Sequence, residues 1–226
     1  MNISIILTLA AVTCAAAFGQ TNASSKATAA ISTVSVNCPS NSVTDPNCNS
    51  GWTDVMTTTI KTSNVADLFA SPSLITGLYT STQVKGNGTG STSTAIASGT
   101  VEVRVLLDGV AGQAYPDTTG TGVIFDARVQ TLTANLGYIF TACLAQGLTG
   151  CTLTPEQITL ALDTTSAHSF NFILLNVGTG AHTLKVQARA SSASSGTNGG
   201  VAISNALYGL GSLTVESVRL VNSFSF

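Results

Sequence analysis

The segment from His168 to Ala190, HSFNFILLNVGTGAHTLKVQARA, constrains the fold more than any other stretch of this chain. Two runs of alternating character flank a short turn, Gly178-Thr179-Gly180, which is the pattern of a β-hairpin. Suppose Val177 faces Ala181 across a three-residue loop, with Gly180 in the left-handed conformation that β-carbons disfavour. Directly opposed residues then share a face, so Leu174 meets Leu184, Phe172 meets Val186 and Phe170 meets Ala188. The other face carries Asn171 opposite Gln187 and Ser169 opposite Arg189, with Lys185 facing Ile173. A two-residue loop would set Phe172 against Lys185 and mix the faces, so the pattern selects a register with one core face and one wet face. That register also sets His168 opposite Ala190 and His182 opposite Asn176, about 27 Å apart at ~3.3 Å per residue. The two histidines therefore cannot share a metal ion, and each is expected as a hydrogen-bonded residue at the end of an apolar face.

Alternation recurs along the chain. Val101, Val103, Val105 and Leu107 alternate with Glu102 and Arg104, and Val123, Phe125, Ala127 and Val129 alternate with Asp126 and Arg128. Ile158, Leu160 and Leu162 continue the theme, and weaker strands are expected over Thr53–Lys61, Leu74–Val84 and Val201–Tyr208. Near the C-terminus Leu213 and Val215 give way to Val218 and Leu220, a change of phase that predicts a β-bulge at Glu216 and Ser217. Lys85–Thr94, Asp108–Gly122 and Ser191–Gly200 read as loops, and at most one helical turn is expected near Ala142–Gln146. The prediction is an all-β fold, an antiparallel jelly-roll-like β-sandwich of roughly eight to ten strands.

The sequence begins with a short apolar run, Ile3 to Val12, followed by Ala15, Ala16 and Ala17. This is the layout of a secretory signal over residues 1–19, although no Lys or Arg precedes the run. Residues 20–51, rich in Ser, Thr and Asn, read as a tail with one local disulfide, and residues 52–226 as the sandwich domain. Cys14 is read as part of the signal rather than as a lipidation site, because Ala11, Val12 and Thr13 do not form a lipoprotein signal. Only 8% of residues are charged and the net charge is −2, so no basic face exists to hold nucleic acid. No membrane span is expected after signal removal, and the chain is expected to be secreted.

Export permits disulfides, and Cys38, Cys48, Cys143 and Cys151 admit three pairings. The short separations favour Cys38–Cys48 and Cys143–Cys151, and neither pair has zinc-knuckle spacing. Asn22 and Asn87 lie in glycosylation sequons.

HTLKVQAR at His182–Arg189, followed by GSLTVESV at Gly211–Val218, resembles the last third of jelly-roll domains of the C1q and tumour-necrosis-factor type. The resemblance covers about a fifth of the chain and rests on motifs of strand packing. It implies a ten-stranded sandwich that often forms a homotrimer and binds partners without catalysing a reaction. The chain departs from that family in its loops and cysteines and in lacking a Gly-x-y stalk. A stretch around TTTIKTSNVADLF is also similar to uncharacterised secreted β-sandwich proteins.

Motifs for chemistry are scarce. No Gly-x-Ser-x-Gly occurs, and Asp163 is the acid closest in sequence before His168. Glycoside cleavage needs only two carboxylates at a suitable distance, for which Glu102, Asp108, Asp126, Glu156, Asp163 and Glu216 are the candidates. Glu102 and Asp126 read as outward strand positions. Asp45–Gly51 begins like a calcium loop but lacks its closing Glu, so an Asx-rich turn beside the disulfide is expected instead. Phe224 and Phe226 resemble the final strand of an outer-membrane barrel, but Asn222 and Glu216 share their face. No catalytic residue, cofactor or metal site is assigned. The sequence points to a secreted, non-enzymatic sandwich acting in adhesion, extracellular structure or glycan binding through its loops. The alternatives are a secreted glycoside hydrolase using loop carboxylates and an outer-membrane β-barrel.

Overall fold

In a computed structural model the described residues are 26–86, 91–136 and 156–220. The signal segment, Asn22, Asn87, Ala142–Gln146, Cys143, Cys151, Phe224 and Phe226 lie outside them. Among the described residues there are eleven strands: β1 (Ala27–Ser32), β2 (Val36–Asn41), β3 (Asn47–Asn49), β4 (Thr53–Thr62), β5 (Ala66–Lys85), β6 (Ser93–Leu107), β7 (Val123–Ala134), β8 (Gln157–Ser169), β9 (Phe172–Val177), β10 (Gly180–Thr197) and β11 (Val201–Val218).

All pairings are antiparallel, and the strands form two sheets packed face to face. In the first sheet β11 and β5 are central; β1 and β2 share the free edge of β11, and β8 and β9 share that of β5. In the second, β10 and β6 are central; β3 and β4 share the edge of β10, and β7 flanks β6. With each shared edge counted as one strand, the sheets run first–eighth–third–sixth and second–seventh–fourth–fifth. That is the order of a jelly roll.

The hairpin expected at His168–Ala190 is not formed. Phe172, Leu174, Leu184, Val186 and Ala188 are all buried, as the alternation requires. However, β9 pairs with β5 in one sheet while β10 pairs with β4 and β6 in the other. The turn carries the chain across the sandwich, so the two runs face each other through the core. A hairpin and such an arch put the same residues inward, and they differ only in where the backbone hydrogen bonds go. Thr62 secures the crossing by donating its hydroxyl to the Gly178 carbonyl at 2.5 Å. Burying Phe172 and Leu174 from opposite Leu184 and Val186 is worth roughly 1.5–3 kcal/mol per side chain.

The expected tail over 20–51 belongs to the sandwich from residue 27 onward, because β1, β2 and β3 pair with β11 and β10. Likewise Ser191–Thr197, expected as loop, completes β10. The reason is the same in both places: alternate buried positions are serines rather than apolar residues. Ser40, Ser194 and Ser204, from β2, β10 and β11, lie 2.7–3.1 Å from one another. Ser192 donates to the Cys38 carbonyl at 2.7 Å, and Cys38 is itself joined to Cys48. The expected bulge at Glu216 and Ser217 sits earlier, between Gly209 and Gly211. Leu210 takes a left-handed φ of 37° there, and a β-carbon on Gly211 would come within 2.5 Å of Leu74.

A second bulge reverses β7. Val101 pairs with Asp126 and Glu102 with Ile124, leaving Phe125 as an extra residue. Past it the faces are opposite to those expected: Val129 is 72% exposed, while Asp126, Arg128 and Gln130 point toward the other sheet. Gln130 is buried and fully bonded. It accepts the Thr80 hydroxyl at 2.8 Å and donates to Thr82 Oγ1 and the Leu160 carbonyl, both at 2.7 Å. Gln130→Leu would strand two buried hydroxyls. At about 1–3 kcal/mol per unsatisfied group, it should lower unfolding free energy in urea by at least ~2 kcal/mol. A loss within the scatter of surface substitutions would show that Gln130 bears no such load.

Candidate functional site

The bulge in β7 builds a polar seam along the edge where β7 and β8 close the sandwich. Asp126 accepts the Thr76 hydroxyl at 2.6 Å, and its Oδ2 lies 3.5 Å from His168 Nε2. Arg128 donates to the Leu78 carbonyl at 2.9 Å and to Thr164 Oγ1. Ser166 Oγ is 3.0 Å from His168 Nε2, so a serine, a histidine and a carboxylate do converge. They do not form a catalytic relay. A relay engages the two opposite ring nitrogens, whereas Ser166 and Asp126 meet the same one. Asp163, the acid suggested by proximity in sequence, pairs with Tyr79 and lies on the opposite face of β8 from His168.

Outside this seam β8 is nearly bare. Ile158, Leu160 and Leu162 are 42–45% exposed, although they alternate onto the side facing the other sheet. Ile75 and Ile203 are partly exposed on the outer face of the same sheet. Among the described residues no strand pairs with the outer edge of β8, and a long edge strand with exposed branched aliphatics is a template for association.

The other histidine, His182, is paired with Ile60 of β4 rather than opposite Asn176. Its Nδ1 lies 2.8 Å from Asp108 Oδ2 and its Nε2 3.0 Å from the Gly178 carbonyl. Only the imidazolium can donate to both acceptors. The Asp108 hydrogen bond raises the His182 pKa above the ordinary 6.5; burial opposes it, and the Gly178 carbonyl adds to it. The same hydrogen bond lowers Asp108 below 3.8, aided by the Thr183 N–H at 2.8 Å. This clasp ties the start of the 108–122 loop to the crossing between sheets.

The outer face of the second sheet carries the densest charge. Arg189 makes a bidentate pair with Glu102 at 2.5 and 2.9 Å, and Arg104 donates to Gln187 and to the Gly120 carbonyl, each at 2.8 Å. Both guanidinium groups stack on Trp52, 4.3 and 4.7 Å from the ring centre. Lys185 pairs with Asp54 at 2.7 Å. Gly122, with φ of 89°, is where the ring edge closes in: a β-carbon there would come within 2.5 Å of it. The panel uses three of the chain's eight Lys and Arg residues, all satisfied internally.

The six candidate carboxylates are dispersed. Glu102 is held by Arg189, Asp108 by His182, and Asp126 by Thr76 and His168. Asp126 faces inward rather than outward because of the bulge at Phe125, while Glu102 faces outward as expected. Asp163 and Glu216 are exposed on β8 and β11, and Glu156 precedes β8. Among the described residues no three His, Cys, Asp or Glu side chains group as metal ligands. In the Asp45–Gly51 loop Asn49 Oδ1 accepts the Gly51 N–H at 2.9 Å, the expected Asx turn. Among the described residues no helix is long and apolar enough to cross a membrane, and this with the Cys38–Cys48 disulfide is compatible with an extracellular protein.

No protein-family model matches the chain, and no curated protein matches it. Two solved structures align with 87% of it: the VP2 subviral particle of infectious bursal disease virus, at 8% identity and TM-score 0.16, and the Gt strain of that virus, at 12% and 0.13. The aligned region spans 43% of each of those chains. Likeness at these scores carries no argument about fold or function.

The clasp predicts a pH dependence. His182's contribution to stability is complete below its unfolded pKa of 6.5 and is lost as pH rises through the higher folded value. Asp108's contribution is present above 3.8 and is lost as pH falls through its lowered value, so the pair is tightest between these limits. Because Asp108 is 49% exposed, screening holds the effect to about 1 kcal/mol. His182→Asn should lower the Tm at about pH 5.5, and the gap from the parent should shrink toward about pH 8.5. A gap that stays constant across that range would refute the clasp.

Proposed function

We propose that this protein is a secreted, non-enzymatic jelly roll that works by surface interaction as a homotrimer, in adhesion, extracellular structure or glycan binding. The observation that carries the reading is β8, thirteen residues long, with no strand on its outer edge among the described residues and Ile158, Leu160 and Leu162 left half in solvent. Such an edge is a ready template for pairing with another chain. Ile75 and Ile203 are further partly exposed aliphatics, on the outer face of the same sheet. Ring closure about a three-fold axis joins unlike surfaces of neighbouring copies. The strand order gives further support: with β8 and β9 counted as one interrupted strand, each sheet has five strands, the ten expected from the C1q and tumour-necrosis-factor resemblance.

The hydrolase reading finds no support in the geometry. Among the described residues, Glu102, Asp108 and Asp126 each engage a different partner, and His168 lacks a relay. The membrane-barrel reading requires one closed sheet, whereas the described strands form two with an apolar core between them.

Light scattering on the purified secreted protein should give three times the chain mass. Leu160→Lys should shift it to monomer while the unfolding transition stays cooperative. A parent protein that is monomeric at all accessible concentrations would overturn the trimer.

A further inference from the structure

At the end of the first sheet where β1 begins and β11 finishes, an open cavity of about 690 Å³ lies between that sheet's end and the turn joining β4 to β5. Ser217 donates its N–H to the Lys26 carbonyl at 2.8 Å, which sets Lys26 opposite Ser217 and diagonal to Arg219. Arg219 follows directly on the end of β11, and both it and Lys26 line the cavity. Neither side chain has a partner among the described residues, in a chain with only eight Lys and Arg. Arg104, Arg128, Lys185 and Arg189, by contrast, are all engaged.

The carboxylate in the wall, Asp67, is committed to the backbone, accepting the N–H groups of Asn176 at 2.9 Å and Leu220 at 3.3 Å. It shapes the wall and leaves one positive charge in excess. Ser63 and Asn64 add neutral hydroxyl and amide groups to the lining. Two cations on one side, uncharged hydrogen-bonding groups on another and room for far more than a bare ion define a ligand with an acid group and several hydroxyls.

We propose that this cavity binds an acidic saccharide, with its anionic group held between Lys26 and Arg219 and its hydroxyls on Ser63 and Asn64. The proposal specifies the ligand class of the binding-protein reading above and rests on it, but it does not depend on the trimer.

The test is an amide NMR titration of the intact protein with glucuronate, sulfate and glucose at constant ionic strength. Glucuronate should produce saturable shifts confined to Asp67, Asn176 and Ser217–Leu220, while glucose produces none. Lys26→Ala and Arg219→Ala should each weaken glucuronate by about tenfold or more. Lys85→Ala, at the far end of β5, should leave it unchanged. Sulfate binding as tightly as glucuronate would overturn the saccharide assignment, leaving a bare anion site. Failure of both anions to give localised, saturable shifts, or equal binding by the two cavity variants, would overturn the site. Light scattering on the same samples separates either failure from a failure of the trimer reading.

Discussion

The space between the two sheets is closed largely by short side chains, and the fold depends on every buried hydroxyl among them finding a partner. At the centre the filling is conventional, with Leu, Val, Phe172 and Tyr208, whose phenol spans the gap to the Ala188 carbonyl at 3.0 Å. Toward one end the apolar filling shrinks to Val84, Ala95, Ala97 and Ala202. There the sheets are joined by the triangle of Ser40, Ser194 and Ser204 and by Gln130 with its two threonines. A hydroxyl occupies little volume, so the layers can approach, but an unpaired one costs more than the net worth of a hydrogen bond. The chain meets this demand by using each strand's hydroxyls in concert with those of its neighbours.

This chemistry explains what was legible in the sequence. Strands whose buried face is aliphatic, such as Val101–Leu107 and Leu184–Ala188, announce themselves by alternation. Strands whose buried positions are serine or cysteine do not, so β2 and the end of β10 read as tail and loop. The alternation around Gly178–Gly180 identified the inward residues but could not distinguish neighbours in one sheet from partners across the core. Bulges were the other blind spot. The pair of glycines around Leu210 was a usable signal of a register change, whereas nothing in VIFDARVQ marks Phe125 as the extra residue.

The binding features are legible to different degrees for the same reason. His182 and Asp108 are far apart in sequence and meet only because β6 and β10 are adjacent. Trp52 lies beyond the short strand β3, and its stacking on Arg104 and Arg189 depends on the order β3/β4–β10–β6. Lys26 and Arg219 come from opposite ends of the described chain. In each case composition shows that a scarce charged or aromatic residue exists, and topology decides whether it is spent on the scaffold or left available.

The extra residue in β7 has a consequence for how this protein can change. Beyond Phe125, the number of residues rather than their character assigns inside and outside. A one-residue slip of register that straightened the bulge and set Phe125 opposite Val101 would turn Asp126, Arg128 and Gln130 outward and bring Ala127, Val129 and Thr131 inward, dissolving the polar seam with no change in the strand's composition. Along this edge a slip of register is therefore a coarser hazard than a substitution, and the seam is encoded in pairing as much as in side chains.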